Sequence, residues 1–284
     1  TPLLNDRGGF ESDLTVIRLS ADRFMVVTGS GQTTRDLDWL QRHVTPEMRV
    51  YIDDVSAQFC VLSLMGPNSL ALMSKLCHED LSPQALPFAH TREIDVGHAK
   101  VRAARMSYVG GPGYELYVPV EMTRHVYLAL QSAGADLGLR DAGYYALDAL
   151  RIERQRRAWG AEMGPDETPF EAGLWTGVKL DKTSDFKGKK ALLDKKAQAG
   201  FKTEKKLVKI VVKDAQNYLW GGEPLSVAGE FVGEVTSAGW GYEAGTMVAL
   251  GYIRGHWAQQ TIQNLHAQAE LWGVPVDVLI HEAA

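Results

Sequence analysis

REIDVGHAKVRAARMSYVGGPGYELYVPV, residues 92–120, is the stretch that decides the fold class. Its apolar residues alternate with polar ones on either side of Gly97, which predicts a pair of strands. The run Gly110-Gly111-Pro112-Gly113 then punctuates the chain, and GYELYVPV predicts a third strand. MTRHVYLALQSAGADLG, residues 122–138, follows with the spacing of a helix. Consecutive strands before a helix imply antiparallel sheets with packed helices, an α+β class, and not an alternating Rossmann pattern.

The same pattern extends towards the N-terminus. TPLLN reads as extended, Asp6-Arg7-Gly8-Gly9 as a turn, and DLTVIRLS (13–20) as one strand. RFMVVTG (23–29) is a further strand. Residues 33–43 form a helix with Leu37 and Leu40 on one face and Thr33 or Thr34 as its cap. VYIDDVS (50–56) and FCVLSLMG (59–66) read as strands. Pro67 opens a helix carried on by Ser69–Leu76, with Leu70, Met73 and Leu76 apolar. Towards the C-terminus, residues 141–158 read as helical. Past a lysine-rich stretch, LVKIVVK (207–213) opens a β segment punctuated by Gly221, Gly222, Gly229, Gly233, Gly241, Gly245 and Gly251. That spacing implies a small β-barrel or jelly-roll-like tail. The expected division is 1–195 and 196–284.

Composition limits the function classes. The 284 residues are 45% hydrophobic and 23% charged, with a net charge of −5, so nothing points to nucleic acid or an anionic membrane. No apolar run is long enough for a transmembrane helix. Cys60 and Cys77 follow no metal-ligand spacing and are expected as reduced thiols; the scattered histidines give no zinc pattern, so no metal is expected. The chain starts TPLLNDRGG without Met, directly in an extended run, and is expected to be a piece of something longer.

Three features carry candidate chemistry. Asp13 follows the glycine turn at the mouth of an apolar strand, with Glu11 two residues before it on the same face. It is either a turn carboxylate capping backbone amides or a functional one. Tyr108 enters the Gly110–Gly113 loop and Glu115 leaves it. Glu115 is either on an exposed face or fixes a polar ligand, since a carboxylate can accept two parallel hydrogen bonds from an amino-pyrimidine-like edge. Eleven lysines lie between Lys179 and Lys209, a solvated face or a site that captures an anionic tail.

In order, LLNDRGGFESDLTVIRL, GPNS, SYVGGPGYELYVP, GYYALDALRIE, TPFEAGL, KLDKTSDFKGKKALL and GEVTSAGWGY with ALGYI run through nearly the whole chain. Together they resemble the aminomethyltransferase (glycine-cleavage T-protein) superfamily, in particular the folate-binding C-terminal region of sarcosine and dimethylglycine dehydrogenases. The resemblance implies a T-protein-like folate-binding domain followed by the barrel. It implies that a flavin domain, with FAD expected only in a missing N-terminal part or a partner chain, oxidises a methylated amine to an iminium. The one-carbon unit then reaches tetrahydrofolate here and gives methylenetetrahydrofolate. Asp13 matches the catalytic carboxylate. Glu115 matches the pterin-binding acid and Tyr108 its loop tyrosine; Thr15 would line the same wall and Trp175 would stack near the cofactor. The implied location is cytoplasmic in a bacterium and the mitochondrial matrix in a eukaryote.

One departure qualifies the resemblance. Leu147 stands where T-proteins commonly carry an arginine for the folate glutamate tail, and Arg151 matches an ordinary helix arginine. The resemblance also implies a first part of the folate domain ahead of Thr1, with a tyrosine expected just before it. The alternatives are a non-catalytic structural or regulatory relative, or a folate-dependent methyltransferase or demethylase acting on another methyl donor.

Overall fold

Asn5 shapes the first turn. Its Oδ1 accepts the amides of Arg7 and Gly9, both at 3.0 Å, and its backbone pairs with Gly9. Gly8 takes the positive φ (+83°). Gly9 serves closeness: a Cβ there would lie 1.9 Å from the Pro165 carbonyl oxygen. The turn joins β1 (Pro2–Leu4) to β2 (Phe10–Asp13). The computed structural model describes residues 1–198 and 200–283.

The expected strand from Asp13 to Ser20 is two strands. β2 ends at Asp13, which pairs back with Pro2, and β3 (Thr15–Arg18) pairs onward with β4 (Phe24–Val27). Leu14, buried between them, is where the run changes partner. Asp13 therefore closes a strand and does not open one.

Contacts group the chain into two units, Ser30–Gly143 and, separately, Thr1–Gly29 with Tyr144–Ala284. In the first unit, α1 (Thr33–Arg42) forms, but Gln32 is its N-cap with no side-chain cap bond, so Thr33 and Thr34 lie inside the helix; Asp36 is its buried residue, while Leu37 and Leu40 are only half-buried. VYIDDVS forms no strand. Asp54 instead accepts the Ser56 amide at 2.9 Å and turns the chain into a short 3-10 helix, leaving Tyr51 exposed. β5 (Phe59–Met65) leads to α2 (Ser69–Met73), which starts two residues past Pro67. β6 (Thr91–Val96), β7 (Ala99–Ala104) and β8 (Gly113–Pro119) complete an antiparallel sheet of order β5-β8-β7-β6, and α3 (Thr123–Gly134) follows. Strand alternation sends Tyr114, Leu116 and Val118 into a core with Leu72, Met73, Val126 and Leu130 of the helices.

In the second unit, α4 (Tyr144–Glu153) is shorter than the 141–158 expected. Gln155 at φ +56° closes it, with Arg156 N–H bonded to the Arg151 carbonyl and Gln155 N–H to that of Ile152. α5 (Lys189–Ala197) packs Leu192 beside Leu4 and Phe10. The tail is a closed antiparallel barrel of order β10-β11-β12-β9-β14-β13, which removes the jelly-roll alternative. Its strands are β9 (Lys205–Val212), β10 (Pro224–Val227), β11 (Glu230–Gly241), β12 (Thr246–Arg254), β13 (Leu265–Leu271) and β14 (Val274–Glu282). The short α6 (Gly255–Ala258) follows β12. Val208, Ile210, Val235, Ala249, Val278 and Ile280 fill the interior. α4 lies on the outside: Ile152 packs with Val248, Leu250 and Tyr252, and a Cβ at Gly239 would lie 2.8 Å from Ala149 Cα.

Candidate functional site

The five candidate residues fall in both units: Asp13, Thr15 and Trp175 in one, Tyr108 and Glu115 in the other. The β2 alternation places Phe10 and Ser12 inside and leaves Glu11 half-buried and Asp13 exposed on the opposite face, as the two-residue spacing requires. The Asp13 carboxylate is 42% exposed and lies 3.6 Å from the amino group of Thr1. The open alternative of a carboxylate that caps amides is met elsewhere in this turn: Asn5 holds the Arg7 and Gly9 amides. Thr15 begins β3, half-buried, opposite Val27. Trp175 opens a 3-10 turn, Trp175–Gly177, and is 56% exposed.

In the other unit β8 is an inner strand, flanked by β5 and β7. Glu115 lies half-buried on the sheet face turned away from the Leu116 core, opposite Ser63 on one side and Ala104 on the other. Both neighbours are small. The Tyr117 hydroxyl, two residues along the same face, donates to Glu115 Oε2 at 2.7 Å. Burial, then the Glu115 charge and this hydrogen bond, push the Tyr117 phenol well above its ordinary range, so it stays a neutral donor. Among the described residues no other hydrogen bond to Glu115 is present, and Oε1 remains open to a ligand. Tyr108 lies half-buried in the loop 105–112, past the end of β7, where Gly110 and Gly111 take positive φ and Ser107 Oγ donates to the Gly110 carbonyl at 2.9 Å. The strand pair expected through Tyr108 stops at Ala104.

One polar cluster escaped the sequence reading. Glu162 is fully buried. Its carboxylate receives Arg151 Nη1 at 2.7 Å, the Ala158 amide at 2.9 Å, Thr236 Oγ1 at 2.8 Å, and the Ser237 hydroxyl. The register of β11 shifts between Val235 and Ser237, and this bulge lets two consecutive hydroxyls reach one oxygen. Tyr252 donates to the Glu162 carbonyl at 2.7 Å; burial and nearby carboxylates push its phenol far up. Glu153, also buried, accepts the amides of Tyr242, Glu243 and Ala244 at 3.0–3.1 Å. These acids fasten α4 to the barrel. Arg151 is therefore committed to structure, with Asp148 as its second partner at 2.7 Å. Glu162 sits in a loop 74 and 75 residues from Thr236 and Ser237, and no local spacing announces that pairing.

A chain with antiparallel sheets, packed helices and a terminal closed barrel has counterparts among known proteins. The GCVT N-terminal domain family matches residues 1–182, and the glycine cleavage T-protein C-terminal barrel domain matches residues 205–278. The chain belongs to the glycine cleavage T-protein family. Within that family it is similar in structure to aminomethyltransferase T of the glycine cleavage system from Bartonella henselae (TM-score 0.83, 26% identity, 99% of this chain and 73% of that one). It is 37% identical over 252 residues to mitochondrial dimethylglycine dehydrogenase of Mus musculus, covering 88% of this chain and 29% of that protein. It is 34% identical over 258 residues to the mitochondrial pyruvate dehydrogenase phosphatase regulatory subunit of the same species, again 29% of that protein and 89% of this chain. The chain thus spans about three-tenths of the length of these two relatives. It is an aminomethyltransferase-type domain related to the dimethylglycine and sarcosine dehydrogenases.

Proposed function

We propose that this domain binds tetrahydrofolate and receives the one-carbon unit released when a sarcosine- or dimethylglycine-type methylated amine is demethylated. The observation that carries the reading is the Asp13 carboxylate, exposed on β2 beyond a glycine turn in a chain of the T-protein family. The residues fit the cofactor. Glu115 keeps one oxygen open and the other on a neutral phenol, so both can accept from an amino-pyrimidine edge. Bound tetrahydrofolate supplies the amine nitrogens that take up the one-carbon unit, with methylenetetrahydrofolate as product.

The protein's part is acid–base and positional. Asp13 orients an amine, accepts its proton and stabilises positive charge beside it. In one unit Glu115 accepts from the flat heterocycle and Tyr108 offers aromatic surface; in the other, the Thr15 hydroxyl and the Trp175 ring are the cofactor-binding groups that accompany Asp13. The amine is oxidised by a flavin domain of the same or a partner chain. The functional division follows the sequence, a folate-binding region over 1–195 and a barrel domain over 196–284. The expected location is the mitochondrial matrix in a eukaryote and the cytoplasm in a bacterium.

Calorimetric titration of tetrahydrofolate into the complete protein tests the proposal. Absence of binding, or unchanged product formation by Asp13→Ala, would sink it. A second reading, a non-catalytic regulatory relative, draws support from Leu147 in α4 and from the likeness to the phosphatase regulatory subunit. Unimpaired function of an Asp13→Asn, Glu115→Gln double variant favours that reading.

A further inference from the structure

At one end of the barrel two tryptophans stand outside any core. Trp220, just before β10, is 71% exposed, and Trp272, between β13 and β14, is 90% exposed. They border a groove of about 570 Å³ that Glu223, Pro224, Glu270 and Leu271 also line. No lysine or arginine lines it among the described residues. We propose that this groove binds the alkylated ammonium head of a small organic cation, a role separate from folate chemistry and independent of it.

Trp272 supplies the first argument. Leu271 pairs with Val274, so Trp272 and Gly273 form a two-residue hairpin turn with φ of +51° and +82°. Such a turn favours Asn, Asp or Gly at its first central position, and an indole there is strained. Because the ring is almost fully exposed, packing within the fold offsets none of that strain. A ligand that lies against the ring does.

Trp220 is held from behind. Its backbone amide donates to Glu223 Oε1 at 2.7 Å, and that of Gly221 to Oε2 at 2.9 Å. Gly222 N–H bonds the Val235 carbonyl at 2.7 Å. Gly221, at φ +118°, passes so close to β11 that a Cβ would lie 2.8 Å from the Thr236 carbonyl oxygen. The backbone that carries this aromatic wall is thus fixed before any ligand arrives.

Charge then selects the ligand. Glu223 is buried with its carboxylate on the Trp220 and Gly221 amides, and Glu270 points outward from β13. Aromatic faces attract cations, and carboxylates without a competing base reinforce the attraction. An alkylated ammonium also presents apolar surface to Pro224 and Leu271, which a strongly hydrated inorganic cation does not. The volume lies in the range of small-molecule sites.

The test uses the full chain and the indole N–H resonances of Trp220 and Trp272, assigned through Trp220→Phe and Trp272→Phe. Tetramethylammonium chloride is expected to shift both resonances saturably, against sodium chloride at equal ionic strength. Neutral tert-butanol, of similar size, is expected to leave them in place. Trp272→Asn suits the turn, so it should melt at or above the parent temperature while binding tetramethylammonium about tenfold more weakly. Glu270→Gln should weaken binding by a smaller factor. A missing saturable shift, an equal response to tert-butanol, or undiminished binding by a folded Trp272→Asn would overturn the proposal.

Discussion

Glu162 and Asp13 belong to the same unit and have opposite surroundings. Glu162 is fully buried and its carboxylate is saturated by an arginine, an amide and two hydroxyls. Asp13 is 42% exposed at a strand end, near only the Thr1 amino group among the described residues. Glu115 stands between these extremes, half-buried with one phenol as partner. The difference separates a carboxylate that joins elements from one kept available to a ligand. A buried, satisfied acid has no lone pair to offer a substrate, and an exposed one contributes little to folding.

That contrast is open to direct attack. Removing the Glu162 carboxylate takes from Arg151 its fully buried counter-charge and from the Ala158 amide and the Thr236 and Ser237 hydroxyls their acceptor, so Glu162→Ala is expected to cost about 3–5 kcal/mol in urea denaturation. A loss under about 1 kcal/mol would mean that the joint does not depend on this acid. Asp13→Ala should do the reverse. Product formation in the complete protein falls about 100-fold, while unfolding free energy moves by less than about 0.5 kcal/mol. If both variants lose stability alike, the distinction fails. Glu115→Gln keeps shape and removes charge, so tetrahydrofolate should bind about tenfold more weakly with the fold intact, as read by calorimetry.

The smallest effect concerns pH. Tyr117 and Tyr252 are held neutral in the fold, with phenols raised above the unfolded value of about 10. A raised pKa contributes stability that is complete below the unfolded value and lost as pH rises above it. Each phenol should therefore lower stability by about 1.4 kcal/mol per pH unit above about pH 10. Tyr117→Phe should make that alkaline decline shallower. An unchanged decline would show that Tyr117 ionises in the folded protein as readily as in the unfolded chain.

Much of this was legible in the sequence, for reasons of period. β6 and the first part of β7 alternate on either side of Gly97, glycines punctuate the run into β8, and α3 carries a helical stripe at Val126, Leu130 and Gly134, so local pattern and tertiary burial largely agree there. VYIDDVS carries the same composition but finds no partner strand, and Asp54 turns it away. Between Asp13 and Ser20 the sequence carries no turn residue to end a strand, yet pairing divides it at Leu14, which only the partners reveal. Asp13 and Glu115 were legible as carboxylates in apolar runs. Glu162 was not, because its bonds to Thr236 and Ser237 span 74 and 75 residues and depend on a bulge. The two-unit grouping was likewise hidden, since it unites residues from both ends of the chain.

The order of strands in the barrel also governs how it can assemble. β9 comes first in the chain but lies between β12 and β14. On a ribosome, it waits unpaired on one side until residues near Glu282 emerge. The closure brings together segments about 70 residues apart, and such long-range pairing is entropically slow. A nascent chain halted after β12 would present a bare lysine-bearing strand, Lys205, Lys206 and Lys209 among its residues, whose charges discourage edge-to-edge association until the final hairpin arrives.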